Sequence, residues 1–274
     1  MSDMPGAIEV APARPAATVL PLRDGPEGLE VFMVVRHHQI DFASGALVFP
    51  GGRVEAGDHA IAGALPGQDP LHPFRVAAIR EAFEECGLLL ALDRRDGVAL
   101  PSARAEAITA AHREAANAGT LGFAALLEAE GLVPDIGALA RFAHWITPAD
   151  LPKRFDTHFF LAPAPSGHTG THDGREAVDS LWIRPATALA EAEAGRRTLV
   201  FATRLNLQRL AGFASTAAAF AAAATAPVVT VQPEALRTPD GGVQMRIPVE
   251  AGYGGPLFPV TRRAMPTQPA AGTR

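Results

Sequence analysis

The chain has 274 residues, 24 basic against 29 acidic for a formal net charge of -5, and 48% of them are hydrophobic. That length and apolar content suit one large core with additions, and the mild acidity argues against a nucleic-acid partner, whose phosphates demand a basic face. The single cysteine, Cys86, excludes an internal disulfide and a cysteine-rich zinc site and fits a reducing, cytoplasmic setting.

Residues 1–16 are rich in Pro and Ala without periodicity and read as a disordered tail. Met1 to Ala17 also lacks the basic segment and apolar run of a signal peptide. Ala17 to Leu22 and Leu29 to Arg36 read as strands around the turn-rich run Asp24 to Gly28. The second is apolar on both faces, through Val31, Met33 and Val35 and through Phe32 and Val34, and is expected at the centre of a sheet. Ala46 to Phe49 continues the pattern, and Pro50-Gly51-Gly52 is expected to stop it. A Gly/Pro-rich loop is expected from Asp58 to Pro73, then a helix from Phe74 to Cys86 closed by Gly87.

Ser102 to Glu130 predicts two short helices broken at Gly119. Strand signals resume at Leu139 to Ile146, Phe155 to Ala162 and Ser180 to Arg184. A helix is expected from Thr203 towards Ala224, then a tail with a hairpin turning at Pro239-Asp240-Gly241-Gly242. Ala214 to Val229 is mostly alanine, interrupted by Ser215, Thr216 and Thr225 and ended by Pro227. It is too short and too weakly apolar for a membrane span, so no membrane partner is expected.

The chemistry concentrates in the helix before Gly87. Glu81, Glu84 and Glu85 stand at i, i+3 and i+4, so their carboxylates share one face. Val76, Ile79, Phe83 and Cys86 fall opposite, as an apolar stripe that anchors the helix and leaves the anions on the solvent side. Ala77 and Ala78 lie near the acidic face, with room for a bulky polyphosphate. Like-charged neighbours cost about 0.2–0.5 kcal/mol per pair on a solvated helix, and a divalent cation reverses that sign. Carboxylate oxygens suit Mg²⁺ or Mn²⁺; an ordinary solvated acidic face is the alternative.

The run Phe49 to Asp58, followed by Arg80-Glu81-Ala82-Phe83-Glu84-Glu85-Cys86-Gly87-Leu88, resembles the signature of the Nudix hydrolases. Two departures stand in its first half: Asp58 occupies the place of a glutamate, and 21 residues rather than seven separate it from Arg80. The branch it resembles, through Trp145 to Pro148, Arg154 to Phe160 and Glu176 to Trp182, is that of the peroxisomal coenzyme A diphosphatases and bacterial relatives with an inserted box. The fold implied is an α/β class, a Nudix α/β/α sandwich with a mixed sheet, a helical insertion at about 102–131 and a C-terminal extension. Its domain would span 17–226, with the box at 51–88, an insertion at about 59–73 and the extension at 227–274.

The resemblance implies a metal-dependent diphosphatase acting on a nucleoside diphosphate linked to a second group. Coenzyme A or acyl-coenzyme A is the favoured substrate, with ADP-ribose or NADH as alternatives and a non-catalytic nucleotide sensor as a reading of a different class. Glu84 and Glu85 would be the principal ligands of Mg²⁺ or Mn²⁺, Glu81 a further ligand or the base, and Arg80 the group that orients it. The carbonyl of Gly51 would complete the coordination, and a homodimer is an expected state. Glu176 is a candidate for an additional ligand or base from a loop, or an exposed acid. Arg36 and Arg154 are candidates to meet substrate phosphate, or surface salt-bridge partners. His37, His38, His144, His158, His168 and His172 read as dispersed, and Cys86, Phe155, Phe159 and Phe160 as core.

Overall fold

The structure, a computed structural model, describes residues 10–36, 45–164 and 177–260. Two long strands open it, β1 (Arg14–Gly25) and β2 (Gly28–Arg36), joined as a hairpin in which Gly25 faces Gly28. Then come β3 (Leu47–Val48), β4 (Gly51–Arg53), α1 (Ala56–Gly63), α2 (His72–Cys86) and β5 (Ala91–Asp93). The insertion follows as α3 (Ser102–Asn117) and α4 (Phe123–Ala129), which returns through β6 (Leu132–Pro134) to pair with β5. The sheet resumes with β7 (Ala140–Ile146), β8 (Phe155–Pro163) and β9 (Ala177–Ile183). Three helices, α5 (Pro185–Glu193), α6 (Phe201–Leu210) and α7 (Thr216–Thr225), precede β10 (Thr230–Val231). The extension ends in β11 (Glu234–Arg237), β12 (Val243–Arg246) and β13 (Leu257–Pro259).

The main sheet runs β10-β7-β8-β1-β2-β3, with β4 also on β1 and β9 on β2. It is mixed: β1 is parallel to β8 and antiparallel to β2 and β4. Alternation along the central strands divides the core in two, as a pleated sheet covered on both faces requires. Ala17 and Val19, Phe32 and Val34, and Phe160 and Ala162 join α2, α3 and α4 in one cluster. Leu20 and Leu22, Val31 and Met33, and Phe159 and Leu161 join α5, α6 and α7 in the other. The expected α/β/α sandwich is thus formed, with β2 interior to the sheet as its two apolar faces required.

The differences from expectation have local causes. β3 ends at Val48, before Pro50-Gly51-Gly52, as expected, but the two glycines then open a further strand: without side chains they let β4 lie against β1 at Ala17 and Thr18. The expected loop after Asp58 begins as α1, because the Asp58 carboxylate accepts from the Glu55 amide at 2.8 Å and holds the first turn. The helix expected from Thr203 to Ala224 is two, α6 ending at Leu210 and α7 starting behind Ser215, whose hydroxyl accepts from the Ala218 amide at 3.2 Å. α5 and the β5-β6 hairpin carry no periodicity strong enough to have been expected. Strand β1 begins at Arg14, inside the span expected to be disordered, and residues 1–9 lie outside the described residues. The hairpin of the tail forms as expected, with Arg237 paired to Val243.

α2 is the element on which the site depends. Its apolar stripe, Val76, Ile79, Phe83 and Cys86, is buried, and burial pushes the Cys86 thiol well above its ordinary range. Ala77 and Ala78 leave no room for a polyphosphate: both are fully buried, and together with Ala82 they let the helix settle closely on the sheet. Gly87 ends the helix in the left-handed conformation at φ 70°, its amide donating to the Phe83 carbonyl at 3.0 Å. From α3, Arg113 Nε donates to the Glu84 carbonyl at 2.9 Å, placing a cation at the negative end of the helix dipole. A side chain at position 87 would be strained and would meet Arg113 Nη1 at 3.1 Å. Gly87→Ala is therefore expected to lower the stability measured by urea unfolding by about 1–2 kcal/mol.

Candidate functional site

A cleft of about 1030 Å³ lies over the second half of α2. Its floor is acidic: Glu81, Glu84 and Glu85 from α2, with Glu55 from the N-terminus of α1. Arg80 stands among them, 7% exposed, with every arm of its guanidinium engaged. Nε and Nη2 donate to the two oxygens of Asp58 at 3.0 and 3.1 Å. Nη1 donates to both Glu81 Oε1 and Glu84 Oε2 at 2.9 Å, and Nη2 also reaches the Arg53 carbonyl at 2.9 Å.

Asp58 is 1% exposed, and its carboxylate accepts hydrogen bonds from Arg80 and from the Glu55 amide. The aspartate standing in place of the box glutamate thus supports Arg80 from beneath. Burial alone would lower the Arg80 pKa, but Glu81, Asp58 and Glu84 outweigh it and raise it further. Burial raises the pKa of Glu84, with Arg80 opposing and Glu55 and Asp58 adding to the rise. The cluster therefore holds more negative charge than one guanidinium balances.

Two glycines fix the approach of β4. The Gly51 amide donates to Glu85 Oε2 at 3.2 Å, so Gly51 meets the cluster through its N–H. A Cβ on Gly52 would stand 2.2 Å from Glu81 Oε1, so the absence of a side chain there is what gives that carboxylate its place. The helix face that periodicity leaves to solvent is thereby covered: Glu81 and Glu85 are each 8% exposed. Their surroundings are the strand β4 and the cleft rather than bulk water, which a reading of one helix does not contain.

The rim is cationic. Arg14, Arg36, Arg53 and Lys153 all line the cleft. The expectation for Arg36 thus has a structural basis. The one for Arg154 does not: Arg154 is 8% exposed and bonded to the carbonyls of Ala11, Thr147 and Pro148. It ties the loop before β8 to the start of the chain, while its neighbour Lys153 lines the cleft. Arg14 arrives because β1 runs parallel to β8 and sets Arg14 beside Phe155, a pairing that only the topology reveals. Phe159 and Phe160 are core as expected, but Phe155 lines the cleft, with Lys153 Nζ 5.9 Å from its ring centroid. The turn between α3 and α4, including Asn117 and Leu121, forms another wall.

Glu176, His37, His38, His168 and His172 lie outside the described residues. His144 and His158 are not dispersed: β7 and β8 set them directly opposite each other, away from the cleft.

Residues 59–200 match the family model described as the NUDT19 Nudix domain. The acyl-coenzyme A diphosphatase NUDT19 of Gallus gallus is 28% identical over 243 residues, covering 70% of this chain and 63% of that protein. The protein of the same name from Homo sapiens is 27% identical over 251 residues, covering 74% and 66%. The chain thus matches less than two thirds of the length of these relatives. A solved Nudix hydrolase from Alicyclobacillus acidocaldarius is 29% identical, with a TM-score of 0.64 over 78% of this chain and 96% of that one.

Asp58→Asn removes a buried charge that Arg80 answers with two hydrogen bonds. It is expected to cost at least about 1.5 kcal/mol in urea unfolding, the lower end for bonds to charged groups. Shortening the connection between α1 and α2 within residues 65–68 is expected to cost less, because that segment is exposed or half-buried. Equal losses would mean that the connection, and not the carboxylate, supports Arg80.

Proposed function

The chain belongs to the NUDT19 Nudix domain family, and from that premise we propose that it is a metal-dependent diphosphatase acting on coenzyme A or acyl-coenzyme A. Hydrolysis would break the P–O–P link, water supplying oxygen to one phosphorus and the proton count closing on 3′,5′-ADP and the (acyl-)4′-phosphopantetheine. The observation that carries the reading is the charge arrangement of the cleft: an over-acidic floor around Arg80 beneath a rim of Arg14, Arg36, Arg53 and Lys153. The relatives named acyl-coenzyme A diphosphatase support the choice of substrate.

The residues present fit a hard divalent cation. Glu81, Glu84 and Glu85 offer carboxylate oxygens only, in a cleft where their repulsion is not fully answered by Arg80, and oxygen donors suit Mg²⁺ or Mn²⁺. When bound there, such an ion supplies charge neutralisation on the diphosphate and a lowered pKa for coordinated water. The chain's own groups do the rest. Arg80 bonds Glu81 and Glu84 together through one nitrogen, fixing the relative positions of two carboxylates before any substrate arrives. The Gly51 amide does the same for Glu85. The rim guanidiniums match phosphate oxygens in the bidentate manner that arginine favours, and a substrate with a third phosphate has more use for four rim cations than one with two. Glu81 would be a ligand or the base. Glu176 remains the other candidate base: Ala177, which follows it in sequence, pairs with the cleft-lining Arg36.

Release of 3′,5′-ADP from coenzyme A, measured with Mg²⁺ and with Mn²⁺ beside ADP-ribose and NADH, tests the substrate. Faster turnover of ADP-ribose or NADH would reassign it, and saturable binding without turnover would make the domain a sensor. Glu84→Gln and Glu85→Gln are each expected to lower kcat by at least about a hundredfold. Glu85→Gln should melt near the parent, since glutamine keeps the side-chain volume, whereas Glu84→Gln also weakens a bond that answers Arg80 and should melt lower. Unchanged turnover in both would remove the metal assignment; Glu176→Gln, assayed alongside, distinguishes the two candidate bases.

A further inference from the structure

A second group of ligand atoms lies on β7 and β8, near the first turns of α2. His144 and His158 are cross-strand partners, and their rings stack at 4.0 Å with 6° between the planes. His144 Nε2 lies 2.5 Å from Asp156 Oδ1, and its Nδ1 lies 2.8 Å from the Thr230 hydroxyl on β10. His158 is 6% exposed, covered edge-on by Phe74 of α2 with ring centroids 4.4 Å apart. Its Nδ1 is fully buried and has no hydrogen-bond partner. One ligand atom from each of His144, Asp156 and His158 lies within 4.8 Å of the others. None of the three lines the cleft.

We propose that His144, Asp156 and His158 form a binding site for a divalent transition-metal ion of the zinc class, separate from the carboxylate floor of the cleft. An imidazole nitrogen buried without a partner costs about 1–3 kcal/mol, and a metal ion is a partner that the lone pair of such a nitrogen can take. Two imidazoles and a carboxylate are a three-ligand set of the type that leaves one position for water. Imidazole selects zinc, cobalt or nickel over magnesium, so this site and the cleft would sort different ions. The Thr230 hydroxyl supplies the outer contact: it accepts from Nδ1–H when Nε2 turns its lone pair to the metal.

The distances say what loading requires. Two ligands of one tetrahedral ion, each at about 2.0 Å, stand roughly 3.3 Å apart, against 2.5 Å between His144 Nε2 and Asp156 Oδ1. The ion would therefore displace the proton that this pair shares and open it by less than about 1 Å, and because an imidazole donates in its own plane while these two planes are nearly parallel, one ring would also turn out of the stack. Asp156 has the freedom for that movement, with 34% of its side chain exposed. Two cations stand nearby: Arg75, whose Nη1 is bonded to the carbonyls of Ile136 and Leu139, and Arg141, whose Nε is buried without a partner and whose pKa is lowered by burial and by Arg75 against the pull of Asp69 and Asp156, so an ion would compete with Arg141 for Asp156. Because Thr230 is on β10, a loaded site would also fasten the start of the C-terminal extension to the main sheet.

The test uses the tag-free full chain, stripped with a chelator and titrated with Co²⁺. Imidazole-ligated cobalt of low coordination number absorbs strongly in the visible, whereas cobalt held by carboxylates and water in the cleft absorbs weakly. One equivalent of strongly absorbing Co²⁺ is expected, displaced by Zn²⁺ and unchanged in a Glu84→Gln/Glu85→Gln double variant. The band should vanish in His158→Gln, and its Kd should rise at least about tenfold in Asp156→Asn, a change at a partly exposed position that leaves the fold intact. Absence of a strong band in the parent chain overturns the proposal, as does a band that is unaltered in Asp156→Asn. Neither result touches the diphosphatase reading, which is decided by 3′,5′-ADP release.

Discussion

The charge on Arg80 is the constraint around which the site is arranged. A guanidinium that is 7% exposed survives in the interior only if its donors are answered, and here they are answered by Asp58, Glu81, Glu84 and the Arg53 carbonyl. Buried ion pairs of this kind contribute little net stability, because desolvation offsets attraction, but losing one partner strands the other. Their worth is in position. Arg80 joins α1, α2 and the end of β4 through side-chain and backbone acceptors, so the carboxylates of the cleft are referenced to three elements at once.

That arrangement demands a close approach of backbone, and the small residues supply it. Ala77, Ala78 and Ala82 bring α2 down onto the sheet, while Gly51 and Gly52 bring β4 up to the carboxylates. A methyl group at Gly52 would occupy the place of Glu81 Oε1, and one at Gly51 would lie 2.4 Å from the Ala17 carbonyl. Packing and chemistry are therefore set by the same positions. The insertion contributes from the other side: Arg113 of α3 bonds the Glu84 carbonyl, and the turn after α3 walls the cleft.

Local pattern made much of this legible. The i, i+3, i+4 spacing of Glu81, Glu84 and Glu85 placed them on one face, and the two apolar faces of β2 required a strand interior to the sheet. What pattern does not carry is the identity of whatever stands opposite. The burial of Glu81 and Glu85 follows from β4, which read as a strand stop because Pro50-Gly51-Gly52 is a turn signature out of context. Arg14 and Lys153 reached the cleft through the parallel pairing of β1 with β8, a contact some 140 residues apart in sequence. Arg154 shows the reverse: an arginine is suited to phosphate anywhere, and only the carbonyls of Ala11, Thr147 and Pro148 reveal that its hydrogen bonds are already spent. His144 and His158 looked scattered because their meeting depends on the register of β7 with β8, which shifts between Arg141 and Ala143.

The polarity of α2 adds a last constraint on the cleft. Anions stabilise the N-terminus of a helix and are disfavoured at its C-terminus, yet all three glutamates sit in the second half of α2. The dipole thus reinforces their mutual repulsion instead of relieving it. Arg113 offsets part of this at the Glu84 carbonyl and Arg80 offsets part at the side chains, and both are fixed by hydrogen bonds that a passing substrate does not break. The uncompensated remainder is a property of where the sequence puts the acids along the helix. Such a floor attracts a dication and repels a bare diphosphate, so under the proposed function the order of charges from floor to rim, negative and then positive, would admit an anionic substrate only together with a cation that neutralises it.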